Sequence, residues 1–326
     1  MLNWAIIGSG DVVERLVQDS FNVKKRSKVK YIYSLDKKKA QEINKKFRYG
    51  KVVNNYKDIL KDKNINSVYI ATPPNKHLFY IKFFSNKIKN ILCEKPLGIN
   101  SKEIKIIKKI IKKNNNNFFI PFYRRYHERF IYVKKIIKSK KLGQPVFFRY
   151  LLSHNTDNHP TAPIFKVKKN IPWRFNKYIA GGGNYIDMGP HFLDLVTIFL
   201  GDVVKIDTNS SNLKKIYDVE ETLTANIKLK NNICGQAIWS SIVNDKIDLF
   251  EIFFTKGKIE FSLNFNDLVI VKRNKVIKKK NFVLSTPLHK KFILDMIKKL
   301  VSKKKYIDKK GINLSLLQFK SIRSYD

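Results

Sequence analysis

Short apolar runs alternate with amphipathic stretches over roughly the first 120 residues, the grammar of a parallel βα fold. Residues 3–7, 30–34, 67–71, 91–94 and 118–122 read as strands, and the 3.6-residue periods between them include helices over 37–46 and 102–112. Asp36 precedes the first helix and Ser101 the second, each in the place of an N-cap. Beyond residue 122 the pattern changes. A helical stretch at 129–139 leads through Leu142-Gly143-Gln144-Pro145 to a strand over 146–152, then to a loop rich in Pro, Asn and His that includes His154 and His159. A glycine-led helix over 185–200 follows, and then strands over 223–229, 233–242, 247–255 and 258–263. Consecutive strands without helices between them predict a mostly antiparallel sheet. The fold class is therefore α/β: a doubly wound parallel sheet over residues 1–121, then an α+β domain with an open, mostly antiparallel sheet over 122–326.

Length and composition agree with two domains. The chain has 326 residues, and 43% hydrophobic content suffices for ordinary packed cores. No uncharged apolar run reaches the ~18 residues of a membrane span, and the N-terminus reads as a core strand, not a signal peptide. Cys93 and Cys234 alone make neither a disulfide framework nor a metal cluster. A cytoplasmic protein with reduced thiols and no metal site is expected. The formal net charge of +40 is the one anomaly. Taken alone it favours a polyanionic partner. The lysines, however, are spread along the chain among apolar residues, as in Ile104-Lys105-Ile106-Ile107-Lys108-Lys109-Ile110-Ile111, and accompany an abundance of Asn and Ile. That pattern fits compositional drift and solvated helix faces, so no nucleic-acid site is expected.

Candidate chemistry begins at residue 8. Gly8-Ser9-Gly10 follows the first strand directly and opens the amphipathic stretch 11–17, which starts with Asp11 and Val12. A dinucleotide fold needs glycines there, one for the tight turn and one for close approach of a pyrophosphate. The third small residue of the fingerprint is replaced by Val13, which predicts looser helix–strand packing or a shifted phosphate. The end of the second strand should meet the adenosine ribose. It offers Ser34 at the usual acidic position, then Leu35 and Asp36, then Lys37, Lys38 and Lys39, which leaves both NAD and NADP open.

Three further segments carry a resemblance. They are Ala71-Thr72-Pro73-Pro74-Asn75-Lys76-His77, then Glu94-Lys95-Pro96-Leu97, then Ala180-Gly181-Gly182-Gly183-Asn184-Tyr185-Ile186-Asp187-Met188-Gly189-Pro190-His191. In this order with the glycine loop, and with Tyr123-Arg124-Arg125-Tyr126, Pro172-Trp173-Arg174 and Pro287-Leu288-His289, the chain resembles the glucose–fructose oxidoreductase / inositol dehydrogenase (Gfo/Idh/MocA) family. The resemblance implies a Rossmann domain binding NAD or NADP, and a second domain whose open sheet forms a homo-oligomer interface, dimeric or tetrameric. It also implies that Lys95, Asp187 and His191 line the reaction site. Ala71, Thr72, Pro73, Asn75 and His77 would border the nicotinamide ribose, although His77 also suits a helix start. The bond into Pro96 is often cis in the family.

These residue types suit one reaction. Oxidising an alcohol removes the hydroxyl proton as hydride leaves the same carbon, and an imidazole titrating near neutral pH serves as acid/base. His191 takes that role, and the Lys95 ammonium stabilises alkoxide charge and shares the proton. Asp187, four residues before His191, shares its helix face and binds a substrate hydroxyl or orients the ring. Asp194 lies on the same face; for both aspartates the bland reading is that they satisfy backbone amides or arginines. Glu94 is expected to hold backbone or ribose. Arg125, Trp173 and Arg174 are candidates for contact with a sugar, cyclitol or sugar nucleotide, with packing as the alternative. Two other readings share the fold: a non-catalytic nucleotide-binding regulator, and a glycosidase that oxidises its sugar transiently and regenerates NAD.

Overall fold

Leu2, Trp4, Ala5, Ile6 and Ile7 are all buried, so β1 (Leu2–Ile7) is a central strand covered on both faces. With β2 (Ser27–Tyr33), β3 (Lys51–Val52), β4 (Ser67–Ile70), β5 (Asn90–Cys93) and β6 (Asn117–Phe119) it forms a six-stranded parallel sheet ordered β3-β2-β1-β4-β5-β6. The strand order reverses between β1 and β4, and a doubly wound sheet opens its ligand crevice at the carboxyl ends of the strands there. The computed structural model describes residues 1–155, 173–215, 217–265, 267–273 and 275–322.

The connecting helices are α1 (Lys37–Phe47), α2 (His77–Ser85) and α3 (Ser101–Lys113). Asp36 caps α1 as expected, its Oδ1 accepting the Lys39 amide at 2.9 Å. Ser101 does not cap α3. It is the first helical residue, and Asn100 Oδ1 accepts the Glu103 amide at 2.8 Å while Glu103 Oε2 accepts the Ile99 amide at 3.1 Å. The extended backbone needed at an N-cap falls one residue earlier than the pattern suggests. The helix expected over 11–17 is a six-residue π-helix, Val12–Val17, with Val13 and Val17 buried. The wider winding accommodates a branched side chain where the fingerprint has a small one.

The second architecture begins with α4 (Glu128–Ser139) and β7 (Pro145–Asn155), then α5 (Lys177–Ala180) and α6 (Asn184–Phe199). The strands β8 (Val203–Ser211), β9 (Thr222–Leu229), β10 (Cys234–Ser240), β11 (Ile242–Phe254), β12 (Gly257–Phe261), β13 (Asp267–Lys272) and β14 (Lys275–Asn281) complete it. Their sheet runs β14-β13-β12-β11-β7-β10-β9-β8, and β7–β10 is its one parallel pair among the described residues. Over 223–229 of β9 and 234–239 of β10 buried and exposed positions alternate, so one face is a core and the other is not. Phe192 of α6 fills the covered face against Tyr150, Trp239 and Phe250, at ring distances of 4.7, 5.6 and 5.1 Å. On the other face Phe147 stacks on Phe253 at 4.3 Å and stays half-exposed.

Two helices end the chain, α7 (Lys290–Val301) and α8 (Lys309–Ser321). The chain divides into two compact units, Met1–Tyr123 with Ser285–Asn313 and Arg124–Leu284 with Leu314–Asp326. The first compact unit runs to Tyr123 and takes in Ser285–Asn313, a segment that the expected division at 121/122 gives to the second domain. Backbone pairing and ring stacking hold it there: the Phe118 amide donates to Tyr306 O at 2.9 Å, the Asp308 amide to Phe118 O at 3.0 Å, and Tyr306 stacks on Phe119 at 4.5 Å. Among the described residues no helix is long and apolar enough to cross a membrane.

Candidate active site

In the first unit the glycine loop meets the loop after β4. Gly8 adopts φ +112°, and a Cβ there would lie 2.5 Å from the Ala71 carbonyl oxygen, so only glycine fits. Its amide donates to Tyr33 O at 2.7 Å, tying the loop to the end of β2. Gly10 differs: an added Cβ meets nothing within 4 Å. The free space over Gly10 and the buried Thr72 Oγ1, which has no hydrogen-bond partner among the described residues, are what a dinucleotide's phosphates and ribose would fill. The residues present fit the coenzyme. Asp11 Oδ1 and Glu14 Oε2 hold Lys39 Nζ at 3.1 and 3.5 Å, and Val12 follows as the first π-helical residue.

At the end of β2, Ser9 Oγ and Ser34 Oγ are 2.7 Å apart. Leu35 is 85% exposed, and Asp36 is engaged as the cap of α1. Pro73 precedes a 3-10 turn, Pro74–Lys76, that carries the half-buried Asn75.

His77 departs from its expected role as a ribose contact. It opens α2 and is completely buried, and its Nε2 donates to the Thr72 carbonyl at 2.9 Å. Burial pulls its ring pKa down to about 4, against the opposing pull of backbone groups of Thr72, Leu97 and Pro96. It is therefore a neutral strut between the loops after β4 and β5. Glu94 also works inward. Its Oε1 accepts the Tyr69 hydroxyl at 2.6 Å and its Oε2 the Lys95 amide at 3.3 Å, so the carboxylate holds backbone as expected. Burial and the Glu94 charge hold the Tyr69 phenol well above its ordinary pKa. His289 lies 3.9 Å from Glu94 Oε1 and packs its ring 4.2 Å from that of Tyr123. Lys95 itself is half-buried at the carboxyl end of β5, and the Lys95–Pro96 bond is cis.

In the second unit the glycine run turns into α6. Gly181 and Gly182 have φ of +85° and +157°, and a Cβ on Gly183 would lie 2.7 Å from Glu220 O. Glu220 Oε2 accepts the Gly183 amide at 2.9 Å, which fixes the start of the helix. Asp187 stands in its first turn, half-buried, with Arg174 Nε 3.8 Å from Oδ2. The Arg174 guanidinium lies 4.4 Å from the centre of the Trp173 ring, so these two and Asp187 form one group. His191 lies one turn further on, 3% exposed. Asp194, buried on the same helix, takes a bidentate pair from Arg125, whose Nε lies 3.1 Å from Oδ2. Asp194 thus pairs with an arginine, the partner that its bland reading expects, and Arg125 is engaged in that pair. His154 lies on β7, half-buried; His159 lies outside the described residues.

Two sequence profiles cover most of the chain: an oxidoreductase family with an NAD-binding Rossmann fold matches residues 2–122, and the GFO/IDH/MocA C-terminal domain matches residues 130–260. The chain belongs to the GFO/IDH/MocA family. Like others of that family it is an oxidoreductase with an NAD-binding Rossmann domain. It is 25% identical over 276 residues to Oxidoreductase P35 of Formosa agariphila, covering 85% of this chain and 84% of that one. It is 24% identical over 253 residues to the levoglucosan dehydrogenase of Pseudarthrobacter phenanthrenivorans, covering 70% and 63%. Among solved structures, a levoglucosan dehydrogenase in complex with NADH superposes with a TM-score of 0.82 at 20% identity, covering 99% of this chain and 96% of that one. A 3-ketoreductase from Actinomadura kijaniata in complex with NADP and TDP-benzene superposes with a TM-score of 0.79 at 16% identity, covering 99% and 97%.

The supporting groups of this GFO/IDH/MocA chain were invisible to motif reading. Tyr69 sits inside an apolar strand, and Glu220 falls between elements, where nothing marks it as a partner for a glycine amide 37 residues earlier. His289 was legible as part of a motif, but not its place beside Glu94.

Proposed function

We propose that the chain transfers hydride between NAD or NADP and a hydroxyl-bearing carbon of a sugar, cyclitol or sugar nucleotide. The observation that carries this reading is the crevice of the first unit. Gly8, Gly10 and Thr72 line the β1/β4 reversal, and Lys95 stands at the end of the neighbouring strand β5. Relatives named levoglucosan dehydrogenase and inositol 2-dehydrogenase support the substrate class. A bound nicotinamide accepts or supplies the hydride.

The chain's own residues handle binding and the proton. Lys95 Nζ stabilises negative charge on the reacting oxygen, with its backbone held by the Glu94–Tyr69 clamp. His191 takes the hydroxyl proton on oxidation and returns it on reduction. Asp187, with Arg174 beside it, orients a substrate hydroxyl, and Trp173 offers an apolar face for a sugar ring. Assigning Lys95 and His191 to one hydroxyl follows the family resemblance. We further place the protein in the cytoplasm as a homo-oligomeric dimer or tetramer, which the half-exposed Phe147–Phe253 pair on the uncovered sheet face supports.

Lys95→Ala tests the reading. Turnover on a panel of sugars and polyols should fall by about 10²–10³ while NAD(P)H fluorescence still reports saturable binding. A wild-type protein that binds coenzyme but turns over nothing on the panel would make it a regulator. Sugar release without net coenzyme turnover would make it a glycosidase.

A further inference from the structure

The end of β2 decides which coenzyme the crevice takes. We infer that this chain is selective for the 2′-phosphorylated coenzyme, NADP(H), with Ser34 and Ser9 as the determining pair. The inference rests on the nicotinamide reading and deepens it.

A doubly wound fold selects NAD by a carboxylate at the end of β2, which accepts hydrogen bonds from the adenosine ribose diol and repels a phosphate at the same place. Here that position is Ser34. Ser9 Oγ donates to Ser34 Oγ at 2.7 Å, and among the described residues the Ser34 hydroxyl has no other partner, which leaves its own proton for a ligand. A phosphate oxygen accepts such a donor; a ribose hydroxyl gains little from it compared with a carboxylate. The pair also lies beside the glycine loop, because Tyr33 O, one residue before Ser34, accepts the Gly8 amide at 2.7 Å.

Each nearby carboxylate is already committed. Asp36 Oδ1 accepts the Lys39 amide at the start of α1. Asp11 and Glu14 share Lys39 Nζ, and Lys46 Nζ lies 3.7 Å from Glu14 Oε1, so two cations face the two carboxylates. Lys37 and Lys38, by contrast, are exposed in the first turn of α1 and make the local potential positive. Leu35, 85% exposed between Ser34 and Asp36, offers an apolar surface to a purine ring. The Ser34 hydroxyl as donor, two exposed cations and the missing carboxylate all favour a 2′-phosphate.

The test is parallel titration of the full chain with NADPH and NADH, read by nicotinamide fluorescence and by calorimetry, with 2′,5′-ADP and 5′-AMP as probes that lack nicotinamide. NADPH should bind at least tenfold more tightly than NADH, and 2′,5′-ADP should compete while 5′-AMP competes weakly. Ser34→Asp should weaken NADPH at least tenfold and leave NADH binding equal or better. Leu35→Asp, at a side chain exposed enough to leave the fold intact, should shift the ratio the same way. Equal or tighter binding of NADH by the wild type, or a ratio unmoved by both substitutions, overturns the selectivity and leaves the nicotinamide reading standing. Binding of neither coenzyme by folded protein overturns both.

Discussion

His77 is a catalogue of what burial does to one side chain. In the folded chain its ring is neutral, held to a pKa of about 4, while in the unfolded chain it titrates near 6.5. Between those values the unfolded state binds the extra proton. Its stabilising contribution is therefore full above about pH 6.5 and is lost as pH falls toward 4, on the order of 3 kcal/mol. Urea unfolding at pH 7 and pH 4.5 should show a steep acid loss in the wild type and a shallower one in His77→Gln, whose amide can still donate to the Thr72 carbonyl. Equal acid sensitivity of the two would contradict the role given to this ring. The two glycines of the first loop divide differently. Gly8 is required by the fold itself, and Gly10, with no neighbour within 4 Å of a Cβ, is free of that demand.

At the scale of the element, α6 carries several constraints at once. Pro190 interrupts its backbone ladder, and Asp187, His191 and Asp194 add three ionisable groups to a run otherwise dominated by buried apolar residues. The Arg125 pair makes Asp194 tolerable there. Arg125→Ala takes the guanidinium away from a buried carboxylate and should cost about 3 kcal/mol by chemical denaturation, whereas Asp194→Asn together with Arg125→Ala should recover part of that loss. No recovery in the double variant would mean the two do not act as a pair. Sequence pattern makes α1, α3 and α4 legible because each combines a periodic buried face with polar positions elsewhere, and α6 is legible from the glycine run that opens it. α2 is harder to read because six of its nine residues are apolar and fall on more than one face, and β14 because every residue in it is exposed and no alternation marks it. The site divides along the same line. Gly8, Lys95, Asp187 and His191 announce themselves by motif, which makes them legible as candidates. Those whose role depends on a distant partner, such as Tyr69, Glu220 and Arg125, were missed or given another role.

For the whole molecule the proposed homo-oligomer rests on the sheet face opposite Phe192. Phe147, Arg149 and Leu151 of β7 share it with Phe253, Glu251 and Ile238 of the flanking strands. Glu251 is buried there at the centre of an ion cluster, paired with Arg149 and, at 3.0 Å, with Lys258. Those hydrogen bonds hold its carboxyl below the usual range against the opposing effect of burial. An apolar stack around a satisfied ion cluster is suited to burial against a second copy of itself, so Phe147→Asp should shift light-scattering mass toward the monomer without changing far-UV circular dichroism. An unchanged mass would remove this face from the assembly.

The return of Ser285–Asn313 to the first unit carries a consequence for synthesis. A Rossmann unit encoded in one stretch can finish folding as soon as that stretch has left the ribosome. Here the backbone that pairs with Phe118 and the ring that stacks on Phe119 arrive nearly two hundred residues later. Until then the β6 side of the nascent sheet is an open edge, a template for wrong pairing in a crowded cell. The whole of the second unit's strands must therefore be translated while the first waits, and a nonsense change after Leu284 would damage not the tail of the protein but its beginning.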